Sequence, residues 1–285
     1  MKPVKRQVII TGDDFGLAPA VNAAIITGYR QGVLRCASLM SNGPAWQEAV
    51  ALARICPGLE LGLHLTLIQG RAVLPPRQIP HLADAQGNFR RQPVAAGMKF
   101  YFQPRIRQEI RNELQAQIDK MLQNGLTPRF LNGHLNIHLH PAVWPLVRDL
   151  AVQYGIPAVR LAREDLRVSL SLNPGRRAAK TAHALIFAWL SRRAAATLGP
   201  LKANDQLFGL LNDGQMDEAF WLGVLPRLAP GVTEIYCHPA APGGGLPPDW
   251  PGHYRPRDEL AALMSPRVAE MLWQCSLELL SFQDL

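Results

Sequence analysis

Two periods of apolar and polar residues alternate along this chain. Val8-Ile9-Ile10 is a continuous apolar run that stops at Gly12-Asp13-Asp14-Phe15-Gly16, the pattern of a buried strand whose tip carries two carboxylates. Val21, Ala24, Ile25 and Tyr29 then recur at helical spacing over residues 18–31, and Gly32 stops them. A strand is predicted over 35–40. A helix opened by Pro44 follows, with Trp46, Val50 and Ala53 on one side and Pro57-Gly58 at its end, and the strand over 59–67 carries His64. This βαβαβ rhythm implies right-handed crossovers and a parallel sheet whose strands end at one rim, with Asp13, Asp14 and His64 near such ends.

Residues 70–105 are rich in proline and show neither period, which predicts a long irregular loop of the kind that often binds ligands. Ile106, Ile110, Leu114, Ile118 and Met121 restore helical spacing, and Arg107, Glu109, Arg111 and Glu113 read as the charged outer face. A strand over 128–137, a helix over 141–154 and a short strand over 157–161 are predicted next. Within residues 174–200 an apolar stretch, 184–190, is bracketed by Arg176, Arg177, Lys180, Arg192 and Arg193. Two readings compete for it: an ordinary barrel helix or homodimer contact, and a surface that meets a bilayer or a lipid-bearing substrate. The last third predicts a strand over 232–236 leading into Cys237-His238-Pro239, a glycine- and proline-rich loop over 241–252, and helices over 257–263 and 268–273. No repeat or linker divides the chain, so one α/β domain over 1–285 is expected, with 70–105 and 174–200 as insertions.

A length of 285 residues with 48% hydrophobic and 18% charged content excludes a disordered chain. Thirty Lys and Arg against 22 Asp and Glu give +8, which would suit an anionic partner. The basic residues are not interleaved with aromatics and match no nucleic-acid motif, so a nucleic-acid partner is not expected. Cys36, Cys56, Cys237 and Cys275 lie far apart without a CxxC pair and read as small buried hydrophobes, which fits the cytoplasm. The first apolar run is too short for the core of a signal peptide, and no run of 18 apolar residues predicts a membrane span.

Adjacent carboxylates repel unless a cation, a shared proton or solvent relieves them; the plain alternative is a solvated turn with Asp14 capping the next helix. Asn132, His134, Asn136, His138 and His140 occupy every second position, which on an extended strand places them on one face. His134 and His138 would then stand about 13 Å apart at roughly 3.3 Å per residue, so one ligand is expected here, with the other groups lining a cleft. Asp, His and His from three strand ends make a divalent-cation site with positions open to water and substrate, a site suited to hydrolysis. Asp13, Asp14, His64, His134 and His238 can fill the roles of ligand, base and acid. There is no P-loop, GxGxxG or GxSxG, and Asp14-Phe15-Gly16 lacks the other kinase motifs. Successive strand residues point to opposite faces, which makes Asp13 and Asp14 a poor start for a glycosidase pair.

Thr11 to Gly16, Gly62-Leu63-His64-Leu65-Thr66, the stretch from Asn132 to Pro141, and Glu234-Ile235-Tyr236-Cys237-His238-Pro239 resemble, in order, the motifs of the YdjC/ChbG-like carbohydrate deacetylases. The resemblance implies a single distorted (β/α) barrel of the glycoside hydrolase/deacetylase type and one divalent metal ion, Mg²⁺ or Zn²⁺. It also implies removal of acetyl from an N-acetylated amino sugar. Carried over by position, Asp14, His64 and His134 would bind the metal, Asp13 would be the general base and His238 the general acid. Asn132 and Asn136 stand where many relatives have Asp and His; with His138 and Thr66 they are the candidate substrate-binding groups. Ser41 to Ala45, Gly62 to Leu67 and Val73-Leu74-Pro75-Pro76 are most similar to the hopanoid biosynthesis-associated members, which implies N-acetylglucosaminyl hopanoid as substrate. The expected location is cytoplasmic, with 174–200 the candidate for peripheral contact with the inner membrane. A soluble chitooligosaccharide deacetylase and a non-catalytic sugar- or lipid-binding protein are the alternatives.

Overall fold

The computed structural model describes residues 5–243, 245–247 and 250–285. The first half runs β1 (Arg6–Phe15), α1 (Pro19–Gln31), β2 (Cys36–Leu39), α2 (Trp46–Arg54), β3 (Glu60–Leu65), α3 (Pro93–Phe102), α4 (Ile106–Gln123), β4 (Phe130–Gly133) and α5 (Trp144–Gln153). The second half adds β5 (Ala158–Val159), α6 (Leu166–Leu172), α7 (Arg177–Ala195), β6 (Lys202–Ala203), β7 (Gln206–Phe208), α8 (Glu218–Val224), β8 (Gly231–Cys237), α9 (Pro256–Leu263), α10 (Pro266–Gln274) and β9 (Glu278–Leu280). Every strand pairing is parallel, in the order β6-β5-β4-β3-β2-β1-β8-β7. β9 pairs with the first half of β1, ahead of the residues that pair with β2.

This is a distorted (β/α) barrel. Its seam lies between β5, β6 and β7, where a side chain replaces part of the ladder. The Asn204 amide accepts from Leu161 N–H and donates to the carbonyls of Leu161 and Gln206, while Leu207 N–H donates to Arg163 O.

The strand period of two sorts the chain into layers. Val8, Ile10, Ala37, Leu39, Leu61, Leu63, Leu131 and Val159 face the helices and form the main core. The alternate residues face inward. At the bottom Ile9, Cys36, Phe130 and Ala158 pack with Phe282, whose ring stacks on Phe130 at 4.1 Å between centroids. Gly62 makes room for that plug, because a Cβ there would lie 2.4 Å from the Phe130 ring. Further up the same faces stand Thr11, Glu234 and Arg160, all buried, and toward the rim Asp13, Ser38, His64 and Asn132. The alternation that builds the barrel thus carries an inner column from apolar plug to polar rim.

Three expectations are corrected. Residues 70–105 are not an unbroken loop, since Pro93 opens α3, with Ala96 and Phe100 facing inward. Glu109 and Glu113 are not on an outer face. Both are buried and accept backbone N–H groups, Glu113 from Val73 and Leu74 and Glu109 from His81 and Leu82, so α4 pins the preceding segment. The strand predicted over 128–137 ends at Gly133, and Leu135 and Asn136 adopt left-handed backbone at φ 53 in a tight turn. That turn folds His138 back onto Gly133, where any Cβ would sit 3.1 Å from it. No single strand face presents the polar residues of 132–140. The short elements β6, β7, β9, α6 and α8 carry too few residues for either period to show.

Candidate active site

At the C-terminal end of β1 the pairing with β2 slips: Gly12 faces Ala37 and Phe15 faces Leu39, so Asp13 and Asp14 together oppose Ser38. This bulge, with Asp14 at φ 62, turns both carboxylates into one cavity and overrides the expectation that they face apart. The cavity has a volume of 300 Å³. Its walls include Asp13, Asp14, His64, His134, Asn136 and His238, together with Gln69, Asp213, Tyr236, Trp250 and Tyr254.

Asp14, His64 and His134 bring ligand atoms within 4.8 Å of one another. His64 Nε2 and His134 Nδ1 each stand 3.2 Å from Asp14 Oδ1. Donors bound to one ion at about 2.1 Å, at angles near 90–109°, lie about 3.0–3.4 Å apart, so both of these distances to Asp14 fit one divalent cation. The hydrogen bonds behind the donors agree. His64 Nδ1 meets Asn132 Oδ1 at 2.8 Å and must donate to it, which leaves a lone pair on Nε2, a buried atom with no hydrogen-bond partner. His134 Nε2 meets Gln69 Oε1 at 2.9 Å, which frees Nδ1 in the same way. Trp250 Nε1–H donates to Asp14 Oδ2 at 3.0 Å and leaves Oδ1 toward the histidines. Burial by itself would raise the Asp14 carboxyl, but the neighbouring His134 and His64 rings hold it well below the usual range. The donor set suits a borderline ion such as zinc and also admits magnesium with added waters.

Asp13 sits beside this triad. Ser38 Oγ donates to its Oδ1 at 2.6 Å, and Arg160 donates to both oxygens at 2.6 and 2.9 Å. Arg160 also grips both oxygens of Glu234, at 3.0 and 2.7 Å, while Thr11 Oγ1 donates to Glu234 Oε1 at 2.7 Å. Burial opposes the charge on Asp13, yet the Arg160 guanidinium outweighs it and brings the carboxyl down to about 2. Burial pushes Glu234 the other way, above the usual range.

Across the cavity His238 Nδ1 and Asp213 Oδ1 are 3.2 Å apart without the alignment of a hydrogen bond. Tyr254 Oη–H donates to the other Asp213 oxygen. Burial works against a charged His238, but the carboxylates of Asp213, Asp14, Asp13 and Glu259 raise it above its ordinary value. Asp213→Asn is therefore expected to lower the pKa of His238, read from its ring resonances in a two-dimensional NMR titration; an unmoved titration would show that Asp213 is not the cause.

Thr66, Asn132 and His138 do not line the cavity. Thr66 is pinned through its backbone to Gln117, and Asn132 stands behind His64 and also donates to Asp13 Oδ1 at 3.3 Å. Burial drives His138 down to about 3, so its neutral ring donates through Nε2 to Arg160 O at 2.9 Å and props the arginine. Arg160, Asp213, Gln69, Trp250 and Tyr254 were not singled out from sequence. For Arg160 a signal existed: single opposite charges, Arg160 and Glu234, interrupt two otherwise apolar strands, and buried charges come paired.

A parallel barrel with buried Asp/His/His donors, a flanking carboxylate and an opposed histidine has the layout of a metal-assisted hydrolase. The chain belongs to the YdjC-like protein family, whose pattern matches residues 7–274. A carbohydrate deacetylase from Geobacillus stearothermophilus is 29% identical over 98% of both chains. One from Brevibacillus brevis is 35% identical over 53% of this chain and 58% of its own. Among solved structures, a proposed cellobiose-phosphate cleavage protein from Enterococcus faecalis V583 superposes with a TM-score of 0.77 at 25% identity, covering 98% of each chain.

Proposed function

We propose that this protein is a metal-dependent carbohydrate deacetylase that hydrolyses the acetamide of an N-acetylated amino sugar carried on a lipid, with N-acetylglucosaminyl hopanoid as the substrate. The observation that carries the chemistry is the unpaired Nε2 of His64, set 3.2 Å from Asp14 Oδ1 beside a carboxylate that stays ionised. A divalent ion held by Asp14, His64 and His134 would polarise the acetyl carbonyl and make bound water acidic. Asp13, ionised at neutral pH, takes the water's proton, and Arg160 and Ser38 fix the direction of its free lone pair. His238, whose protonated form its carboxylate neighbours favour, gives a proton to the sugar nitrogen as the C–N bond breaks. Acetate and the free amine leave.

The lipid reading is supported by a 760 Å³ cavity that joins the catalytic one through Gln69, His134 and Trp250. Leu17, Met40, Pro44, Val73, Leu246 and Pro247 give it apolar walls. A second reading, a soluble chitooligosaccharide substrate, is favoured by the 310 Å³ lobe on the other side, where Arg176, Lys180, Asn212, Gln215 and His253 offer polar contacts to further sugar rings. Metal-loaded protein should release acetate from N-acetylglucosaminyl hopanoid, and chelation should stop it. Cleavage of the soluble oligosaccharide alone would transfer the assignment to the second reading, and cleavage of neither with any divalent ion would leave a binding protein.

A further inference from the structure

α3 and α7 bracket the turn at 134–140: His140 hydrogen-bonds the Gly97 backbone and lies edge-on to Phe100, while Leu190 and Ala194 of α7 line a pocket with Leu139. Pro93 at the start of α3 and Phe187 of α7 both line the catalytic cavity, so the two helices stand at its mouth.

Each helix turns an apolar stripe to solvent. On α3, Val94, Met98, Tyr101 and Phe102 are 80%, 55%, 55% and 65% exposed, at helical spacing on the face opposite Ala96 and Phe100. On α7, Leu185, Ile186 and Trp189 are 66%, 53% and 52% exposed. Apolar stripes of this period ordinarily face a core, and two of them at one cavity mouth mark an interaction surface.

Charge names the partner. Residues 90–108 and 174–200 hold ten Lys and Arg and no Asp or Glu, against 20 basic and 22 acidic residues in the rest of the chain. The whole positive excess therefore sits in the two segments that expose the apolar stripes. A second copy would bring two such surfaces together and repel. An anionic bilayer matches both features, with Trp, Tyr and Leu entering the headgroup boundary and Arg and Lys meeting lipid phosphates.

We infer that α3 and α7 form a docking face that seats the catalytic mouth on an anionic membrane surface. No helix among the described residues is long and apolar enough to cross a membrane, so the contact is peripheral. The inference rests on the lipid-substrate reading for its purpose but not for its physics.

The test is co-sedimentation of the full chain with phosphatidylglycerol-containing vesicles and with pure phosphatidylcholine vesicles, comparing wild type with Trp189→Glu and Met98→Glu. Wild type should bind the anionic vesicles, release in high salt, and lose about tenfold or more in partition with either substitution. Both variants should hydrolyse a tail-free soluble N-acetylglucosaminide like wild type, because neither residue touches the catalytic cavity. Wild type that ignores anionic vesicles, or variants that partition equally, would overturn the docking face. A wild-type dimer in sedimentation velocity that becomes monomeric in the variants would also overturn it, in favour of self-association. Vesicle binding without acetyl release from any substrate leaves the docking face standing and removes the deacetylase reading, so the two failures are distinguishable.

Discussion

His64→Ala lowers kcat/KM for acetyl release by more than about 100-fold, the upper end of what loss of an outer partner of a metal ligand costs. The same change weakens divalent-ion binding in calorimetry, measured on folded protein whose circular dichroism matches wild type. The reason lies in the geometry. His64 Nε2 is the buried donor with no partner of its own, and its tautomer is set from behind by Asn132 at 2.8 Å. Asn132→Ala keeps the ring but frees its orientation, so it should cost about 10–100-fold in metal affinity or activity and fall between wild type and His64→Ala. Equal metal affinity in wild type and His64→Ala would remove the Asp14/His64/His134 triad as the metal centre, whatever happened to the rate.

How much of this could be read from the chain follows from the range over which each signal acts. β1 to β3 and α1, α2 and α4 announce themselves because a period of 2 or 3.6 is local and these elements are long enough to show it. The candidate ligands were legible too, as acids and histidines at the ends of apolar runs. What the sequence concealed is set by contacts between distant segments. The β1 bulge depends on how β2 pairs with β1, and it reverses the expectation that Asp13 and Asp14 diverge. The turn at Leu135 and Asn136 breaks a pattern that read as one strand face, because alternation of polar residues says nothing of a left-handed backbone. The partners Asp213 and His238 lie 25 residues apart, joined only by the barrel rim. The apolar face of α3 was hidden within a proline-rich stretch, and its periodicity emerges only once Pro93 is seen as a helix start.

Arg160→Met should destabilise the fold by about 3–5 kcal/mol, because it strips the cation that grips two buried carboxylates, Asp13 and Glu234, and leaves their charges uncompensated. Denaturant unfolding measures this. In the wild type Asp13 contributes stability at pH values above its ordinary 3.8, and that contribution is lost as pH falls through about 2. Without the guanidinium, burial is the dominant influence and the carboxyl pKa rises, so the acid limb of the kcat/KM profile moves to higher pH. Arg160→Lys keeps a charge but not the fork that grips Asp13 and Glu234 together, and should fall between wild type and Met in both stability and rate. The decisive comparison is Arg160→Met with Glu234→Gln. Removing one of the two buried charges should recover part of the lost stability, yet turnover should stay low, because Ser38 and Asn132 hold Oδ1 alone and the grip on both Asp13 oxygens is lost. Recovery of stability and turnover together would mean that Arg160 only neutralises charge inside the barrel, and the directional role assigned to it would be withdrawn.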